Sequence, residues 1–399
     1  MNPRLRFKQA DGTDYPDWEE KKLGEILTQR REMQTISEEA PLLAFTIEDG
    51  VIDPKDKKTN KRDFLIKDKE SKKFQLTKYD DIIYNPANIK FGAIHRNKFG
   101  QGVVSPIYVI LTTNQNSGFL ENYFKRRSFL QQTKKYLEGT VEKLRTLKSE
   151  NFLSLSINLP CIEEQEKIAD CLSSFDNLIS IYNEQLKTLQ EQKKGVMQKI
   201  FNQKVRFKKE DGTDYPDWEE KKIGDICKTF SGGTPRTGVE EYYNGNINFI
   251  RSGEIHDSNT ELFISEEGLK NSSAKIVNVG DILLALYGAT SGEIDLSKVN
   301  GAINQAILCI RPQEGFNKKF IVEIFRYNKN NILKFYLQGG QGNLSAQNIL
   351  KLNFPFPCLE EQQKIANCLS AFDEAIKIKK EQIKTAKELK KGLLQQMFV

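Results

Sequence analysis

An internal duplication constrains this chain more than any other feature, because a repeated unit fixes boundaries before any propensity argument is made. LRFKQADGTDYPDWEEKKLGEI at residues 5–26 returns as VRFKKEDGTDYPDWEEKKIGDI at 205–226, with about 17 of 22 positions identical. A longer segment, NFLSLSINLPCIEEQEKIADCLSSFD from Asn151, returns as NILKLNFPFPCLEEQQKIANCLSAFD from Asn348, and the likeness runs on to Phe201 and Phe398. Between the repeats lie two arms, residues 27–150 and 227–347, that differ in sequence on a common skeleton. Asp81-Ile82 matches Asp281-Ile282, Gly92-Ala93-Ile94 matches Gly292-Glu293-Ile294, and Ile110 matches Ile310. The order of short repeat, arm and long repeat, run through twice, predicts one scaffold with two different surfaces. It is a circular layout, and a pseudo-twofold axis is expected of it.

Each long repeat carries an acidic pair just after a proline, Glu163-Glu164 and Glu360-Glu361, where negative side chains complement a helix dipole. Apolar residues then recur at alternating steps of four and three: Ile168, Leu172, Phe175, Ile179, Tyr182, Leu186, Leu189, then Lys193, Val196 and Ile200. The second copy runs Ile365, Leu369, Phe372, Ile376, Lys379, Ile383, Ala386, Lys390, Leu393 and Met397. That is the seam of a coiled coil. Roughly 40 residues at 1.5 Å rise make each helix about 60 Å long. Two such helices paired antiparallel form a rigid spacer carrying an arm at either end. The arms read as mixed α/β, with strand-like runs at 81–84, 103–111, 281–286 and 303–310 and helical spacing over 119–136 and 320–336. The predicted class is α+β: two α/β arm domains separated by two long antiparallel coiled-coil helices. Its boundaries are expected at residues 1–150, 151–204, 205–347 and 348–399.

Charge and chemistry narrow the function. The net charge of +6 favours a polyanionic partner. It is unevenly placed, roughly +8 over residues 21–150 and about +1 over 221–347. The six cysteines form no C-x-x-C pair and read as buried free thiols, and His95 and His256 are the only imidazoles, so a zinc site or a Ser-His-Asp triad is not expected. The start has no signal-peptide core and no run reaches membrane-span length, which predicts a cytoplasmic protein. An adenine methyltransferase needs a loop with two prolines and an aromatic to hold a flipped base. Asn85-Pro86-Ala87-Asn88 lacks the second proline and the aromatic, and no G-x-x-x-x-G-K-[ST] phosphate cradle exists. No catalytic site is expected in this chain.

The arrangement resembles the specificity subunits of type I restriction-modification systems over essentially its whole length. The resemblance rests on paired arms alternating with paired helical repeats, on PCIEEQEKIA and PCLEEQQKIA at the helix starts, and on SGGTPRTG at 231–238 and GATSGEIDLSKVNGAINQAI at 288–307. It implies a DNA-binding subunit whose arms each read half of a bipartite, asymmetric site. Two modification subunits, S-adenosylmethionine-dependent methyltransferases, and ATP- and magnesium-dependent restriction subunits with translocase activity would dock on it. The chain itself would need no cofactor. A coiled-coil adaptor that reads no DNA is the alternative, but it would not need two arms that diverge on a kept frame.

Base discrimination in a major groove needs donors and acceptors such as Arg toward guanine or Asn and Gln toward adenine, on loops that reach base edges. Loops after the expected strands offer Asn85, Asn88, Lys90 and Arg96 in the first arm and Arg236, Arg251, Thr290, Ser291, Asn304 and Gln305 in the second. The duplicated Tyr15-Pro16-Asp17-Trp18 and Tyr215-Pro216-Asp217-Trp218 are identical and cannot distinguish two half-sites, so they are expected to pack each arm on the helices.

Overall fold

The computed structural model describes residues 2–57, 72–138, 145–337 and 344–398; Met1 and Val399, which bound the sequence reading, lie outside them. Two compact units are present, Met1–Asn183 with Glu381–Val399, and Glu184–Lys380. Each therefore holds one arm, part of a first long helix, Ile162–Phe201, and part of a second, Leu359–Gln396.

In the first unit Ile168 and Leu172 share a core with Leu393, Met397 and Phe398, and farther along Lys390 Nζ lies 2.6 Å from Asp176 Oδ1. Positions rise on one helix as they fall on the other, so the segments run antiparallel. The second unit repeats the pattern: Ile200 and Phe201 meet Ile365 and Leu369, and Lys193 Nζ lies 2.8 Å from both carboxylate oxygens of Asp373. Every apolar position of the expected seam is buried or half-buried.

Both arms are built on the same four-stranded antiparallel sheet. Its order is Leu27–Gln29, Val109–Thr113, Ile82–Tyr84, Ile94–Arg96 in the first and Cys227–Ser231, Ile307–Pro312, Ile282–Ala285, Ile294–Leu296 in the second. Ile282 and Leu284 face the core shared with the helices, while Leu283 and Ala285 face a separate core beneath a second sheet. Covering on both faces explains why these strands are apolar without alternation. The second sheets differ. The second arm has four strands, Leu262–Ile264, Ile247–Ile250, Gly301–Ile303 and Lys275–Val277, and the first has three, Met33–Gln34, Phe74–Thr77 and Gly102–Val104, plus a hairpin.

Three expected elements are corrected. The run 103–111 is two strands, because Ser105-Pro106 breaks the ladder and proline offers no N–H to it. The run 303–310 divides at Asn304, whose Oδ1 accepts the Ala306 N–H at 3.1 Å and closes a turn. The helical stretch 119–136 is three pieces, Ser117–Phe124, Arg127–Thr133 and a 3-10 turn at Lys134–Tyr136. Arg126 takes extended backbone at the break and its guanidinium covers the rings of Tyr123 and Phe398. The corresponding stretch of the second arm is a single helix, Lys318–Leu337. Among the described residues no helix is long and apolar enough to cross a membrane.

Candidate nucleic-acid interface

Four strands of the second arm end at one place. Ser231 and Ala285 lie beside the start of Ile307–Pro312, and Ile250 runs parallel to Ile303, whose chain continues directly into the Asn304 turn. Backbone bonds tie the outgoing loops together: Gly233 N–H to Ile303 O at 3.1 Å, Asn304 N–H to Ile250 O at 3.3 Å and Leu286 N–H to Ala306 O at 2.8 Å. Arg236, Arg251, Thr290, Ser291, Asn304 and Gln305 all issue from this edge. An array of loops carried on rigid strand ends suits recognition of an extended ligand.

Their side chains are not equally available. Arg236 is exposed and its guanidinium meets no acid among the described residues. Arg251 is held in a fork, with Nε and Nη2 each 3.1 Å from Glu254 and a further bond to Glu261, and the Glu254 bond foremost raises its pKa. Ser291 Oγ donates to Leu286 O at 3.1 Å, and Thr290 is half-buried in the same turn. Asn304 turns inward, whereas Gln305 is exposed and its Oε1 accepts the Thr234 hydroxyl at 2.5 Å.

In the first arm Asn85, Asn88 and Lys90 leave the end of Ile82–Tyr84. Asn85 Oδ1 accepts the Ala87 N–H at 3.0 Å, and the Asn88 N–H donates to Asn85 O at 3.0 Å. Asn88 precedes the 3-10 turn Ile89–Phe91 without a side-chain capping bond, and the Lys90 ammonium sits 5.2 Å from the Phe91 ring centre. Arg96 stands apart. It pairs in register with Ile82, at the other end of that strand, and its Nε lies 3.1 Å from Asp80 Oδ1. There it lines a polar cavity of about 330 Å³ with Asp80, Asn114 and Glu166.

Two features escaped the sequence reading. Phe91 is 64% exposed between Asn88 and a left-handed Gly92, and no sequence signal marks it, since Ile89, Ala93 and Ile94 around it are apolar and buried. Beside the second edge, the arm's hairpin is pinned by charge: His256 Nδ1 lies 2.9 Å from Asp295 Oδ2, and Arg326 joins Asp295, Glu323 and Asp373. The bond to Asp295 raises the His256 pKa more than burial lowers it.

The Tyr-Pro-Asp-Trp copies lie where packing places them. Trp18 Nε1 donates to Glu164 Oε2 at 3.2 Å, the ring packs 6.3 Å from Phe398, and Arg6 forks onto Glu164 at 3.0 and 2.7 Å. Trp218, Phe201, Arg206 and Glu361 repeat this, with Trp218 Nε1 to Glu361 Oε2 at 3.1 Å and Arg206 at 3.2 and 2.8 Å. The second acid of each helix start is thus a buried joint, and a dipole argument alone does not account for it.

Residues 15–191 and 215–388 match the family model of the type I restriction modification DNA specificity domain. The chain is 28% identical, over 97% of its length and 95% of the relative's, to the protein named type I restriction enzyme MjaX specificity subunit of Methanocaldococcus jannaschii. It is 27% identical to the EcoR124I/EcoR124II specificity subunit of Escherichia coli over 39% of this chain and 41% of that one. In fold it is similar to the S subunit of the M. genitalium type I system, with a TM-score of 0.63 and 14% identity over 100% of this chain and 99% of that one.

Proposed function

Since the chain belongs to the family of type I restriction-modification specificity subunits, we propose that the loops at the strand-end edge of each arm are its base-reading surface. As a member of that family it is a non-catalytic subunit that recognises DNA within a complex with modification and restriction subunits. S-adenosylmethionine, ATP and magnesium belong to those partners.

In this reading Asn85, Asn88 and Lys90, with Phe91 as an apolar contact, serve one half-site, and Arg236, Thr290, Ser291, Asn304 and Gln305 serve the other. Arg251, already paired to acids, contributes by exchanging those partners for phosphate or base, and Arg96, at the other end of its strand and paired to Asp80, would be a separate contact outside that edge. Residues 1–150 and 205–347 form the two target-recognition domains, and 151–204 and 348–399 the helical repeats. The complex works on DNA in the cytoplasm. One observation carries the proposal: loops that differ in sequence between the arms leave sheets of the same strand order. Exchanging residues 227–347 for the arm of another such subunit should change one half of the methylated motif, read by genome-wide adenine methylation mapping, and keep the other. A change in both halves would refute independent reading.

A further inference from the structure

We infer that Thr234 is a positioning residue for base reading, fixing the amide of Gln305; this rests on the reading of Gln305 as a base contact. The loop that carries Thr234 is tightly constrained. A Cβ on Gly232 would stand 1.8 Å from Ile303 O, and one on Gly233 would stand 2.2 Å from Ser273 Oγ and 2.8 Å from the Ser273 backbone carbon. Only the Gly-Gly pair lets the chain lie this close to the strand end. Gly233 N–H donates to Ile303 O at 3.1 Å, and on the other side the Tyr243 hydroxyl donates to Pro235 O at 2.7 Å. Thr234 is therefore clamped on both flanks, although its own side chain is exposed.

Opposite it stands the turn of Asn304, Gln305 and Ala306. Asn304 spends its Oδ1 on the Ala306 N–H at 3.1 Å, which leaves Gln305 as the amide that projects from the turn. The Thr234 hydroxyl donates to Gln305 Oε1 at 2.5 Å. That bond holds one orientation of a group whose two ends are chemical opposites. The Nε2 donors have no partner among the described residues, and Oε1 keeps a second lone pair. A glutamine so held offers a donor beside an acceptor, the pattern that matches the N7 acceptor and N6 donor of adenine. Without the hydroxyl the side chain samples several rotamers and both flips, and only part of that population matches one base.

The test uses the chain assembled with its modification subunits on duplex libraries randomised at each pair of the half-site that the 227–347 exchange assigns to this arm. The readout is the ratio of methylation rates between the preferred pair and the others. Gln305→Ala should reduce that ratio at one pair by roughly ten- to a hundredfold. Thr234→Val should reduce it at the same pair by about two- to tenfold, and Thr234→Ser should restore it. If Thr234→Val assembles poorly, Thr234→Ala removes the same hydroxyl from an exposed site and the same ratio decides. A wild-type ratio in the hydroxyl-free variants, with Gln305→Ala defective, overturns the inference and leaves Gln305 a reader. A Thr234→Ser variant as defective as Thr234→Val also overturns it. A Gln305→Ala variant that discriminates normally at every pair refutes the reading of Gln305, and the inference falls with it.

Discussion

Replacing Arg6 by alanine should destabilise the first unit far more than an average surface change, and the reason can be followed bond by bond. Glu164 is fully buried and accepts three bonds, from Arg6 Nε at 3.0 Å, Arg6 Nη2 at 2.7 Å and Trp18 Nε1 at 3.2 Å. Arg6→Ala removes two of the three and, among the described residues, the only cation bonded to that carboxylate, leaving a buried negative charge with one neutral donor. Breaking a buried ion pair from one side costs about 3–5 kcal/mol. The Arg6 side chain is 15% exposed, so water relieves part of this and the lower end, ~3 kcal/mol, is expected. For a unit near 200 residues that corresponds to about 6–12 °C in Tm. Scanning calorimetry of the full chain should show the transition of one unit lowered and the other unmoved, and Arg206→Ala should reverse which one falls. Arg6→Lys should fall between, since an ammonium cannot form the two-bond fork. Because the damage lies in an unpaired charge, Arg6→Ala/Glu164→Gln should recover about half of the loss. A loss under about 1 kcal/mol, or a double variant whose loss is the simple sum, would refute the buried-pair account.

Two further outcomes are expected. Lys193 and Lys390 hold equivalent seam positions and each meets a partly exposed aspartate, but Lys193 is 9% exposed and also pairs with the buried Glu323, whereas Lys390 is 18% exposed and Asp176 is its partner. Lys193→Ala should therefore cost about 2–4 kcal/mol and Lys390→Ala no more than ~1 kcal/mol in urea unfolding, and equal losses would contradict the difference in burial. His256, held by Asp295 and Glu293, has its pKa raised above 6.5, so its stabilisation is complete below that value and fades as pH rises through the raised one. The Tm gap between wild type and His256→Ala should be widest at the acidic end of a scan from about pH 5 to 9, and a gap that grows toward alkaline pH would show the sign to be wrong.

The helices were the most legible part of the chain. A seam every three or four residues is a local pattern, and each of its positions from Ile168 to Ile200 turns inward or half-inward. The arms were legible in class but not in detail. An apolar run such as 303–310 shows burial but not where the chain turns, because the half-buried Asn304 and exposed Gln305 sit between buried Ile303 and Ala306, and two polar residues inside an apolar run do not by themselves mark a turn. The candidate loops were found by following strand ends. Their convergence could not be read, since it depends on the parallel pairing of Ile247–Ile250 with Gly301–Ile303, a contact spanning 53 residues. Glu164 was read only as a helix-start acid, and its buried pairing was missed for a similar reason: its partner Arg6 is 158 residues away.

What the two units keep and what they change follow different energetic rules. At the joint the copies agree pair by pair: Arg6 with Arg206, Trp18 with Trp218, Glu164 with Glu361 and Gln165 with Gln362. Both glutamines close the same corner, with Nε2 donating to Pro160 O at 2.8 Å and to Pro357 O at 2.9 Å. Removing one member of such a buried set strands the others, at a cost of roughly 3–5 kcal/mol where the ion pair is broken. The loops at the strand ends show the opposite behaviour. Asn85 stands where the second arm has Ala285, Asn88 where it has Gly288, Lys90 where it has Thr290 and Phe91 where it has Ser291. Those positions are exposed or half-buried, except Ala285, which closes a strand. Substitutions at such surface sites usually stay within about ±0.5 kcal/mol. If the edge loops read bases as proposed, target preference can change there without weakening the joint that carries the arm, because the residues that hold each unit together lie apart from the positions that would alter the target.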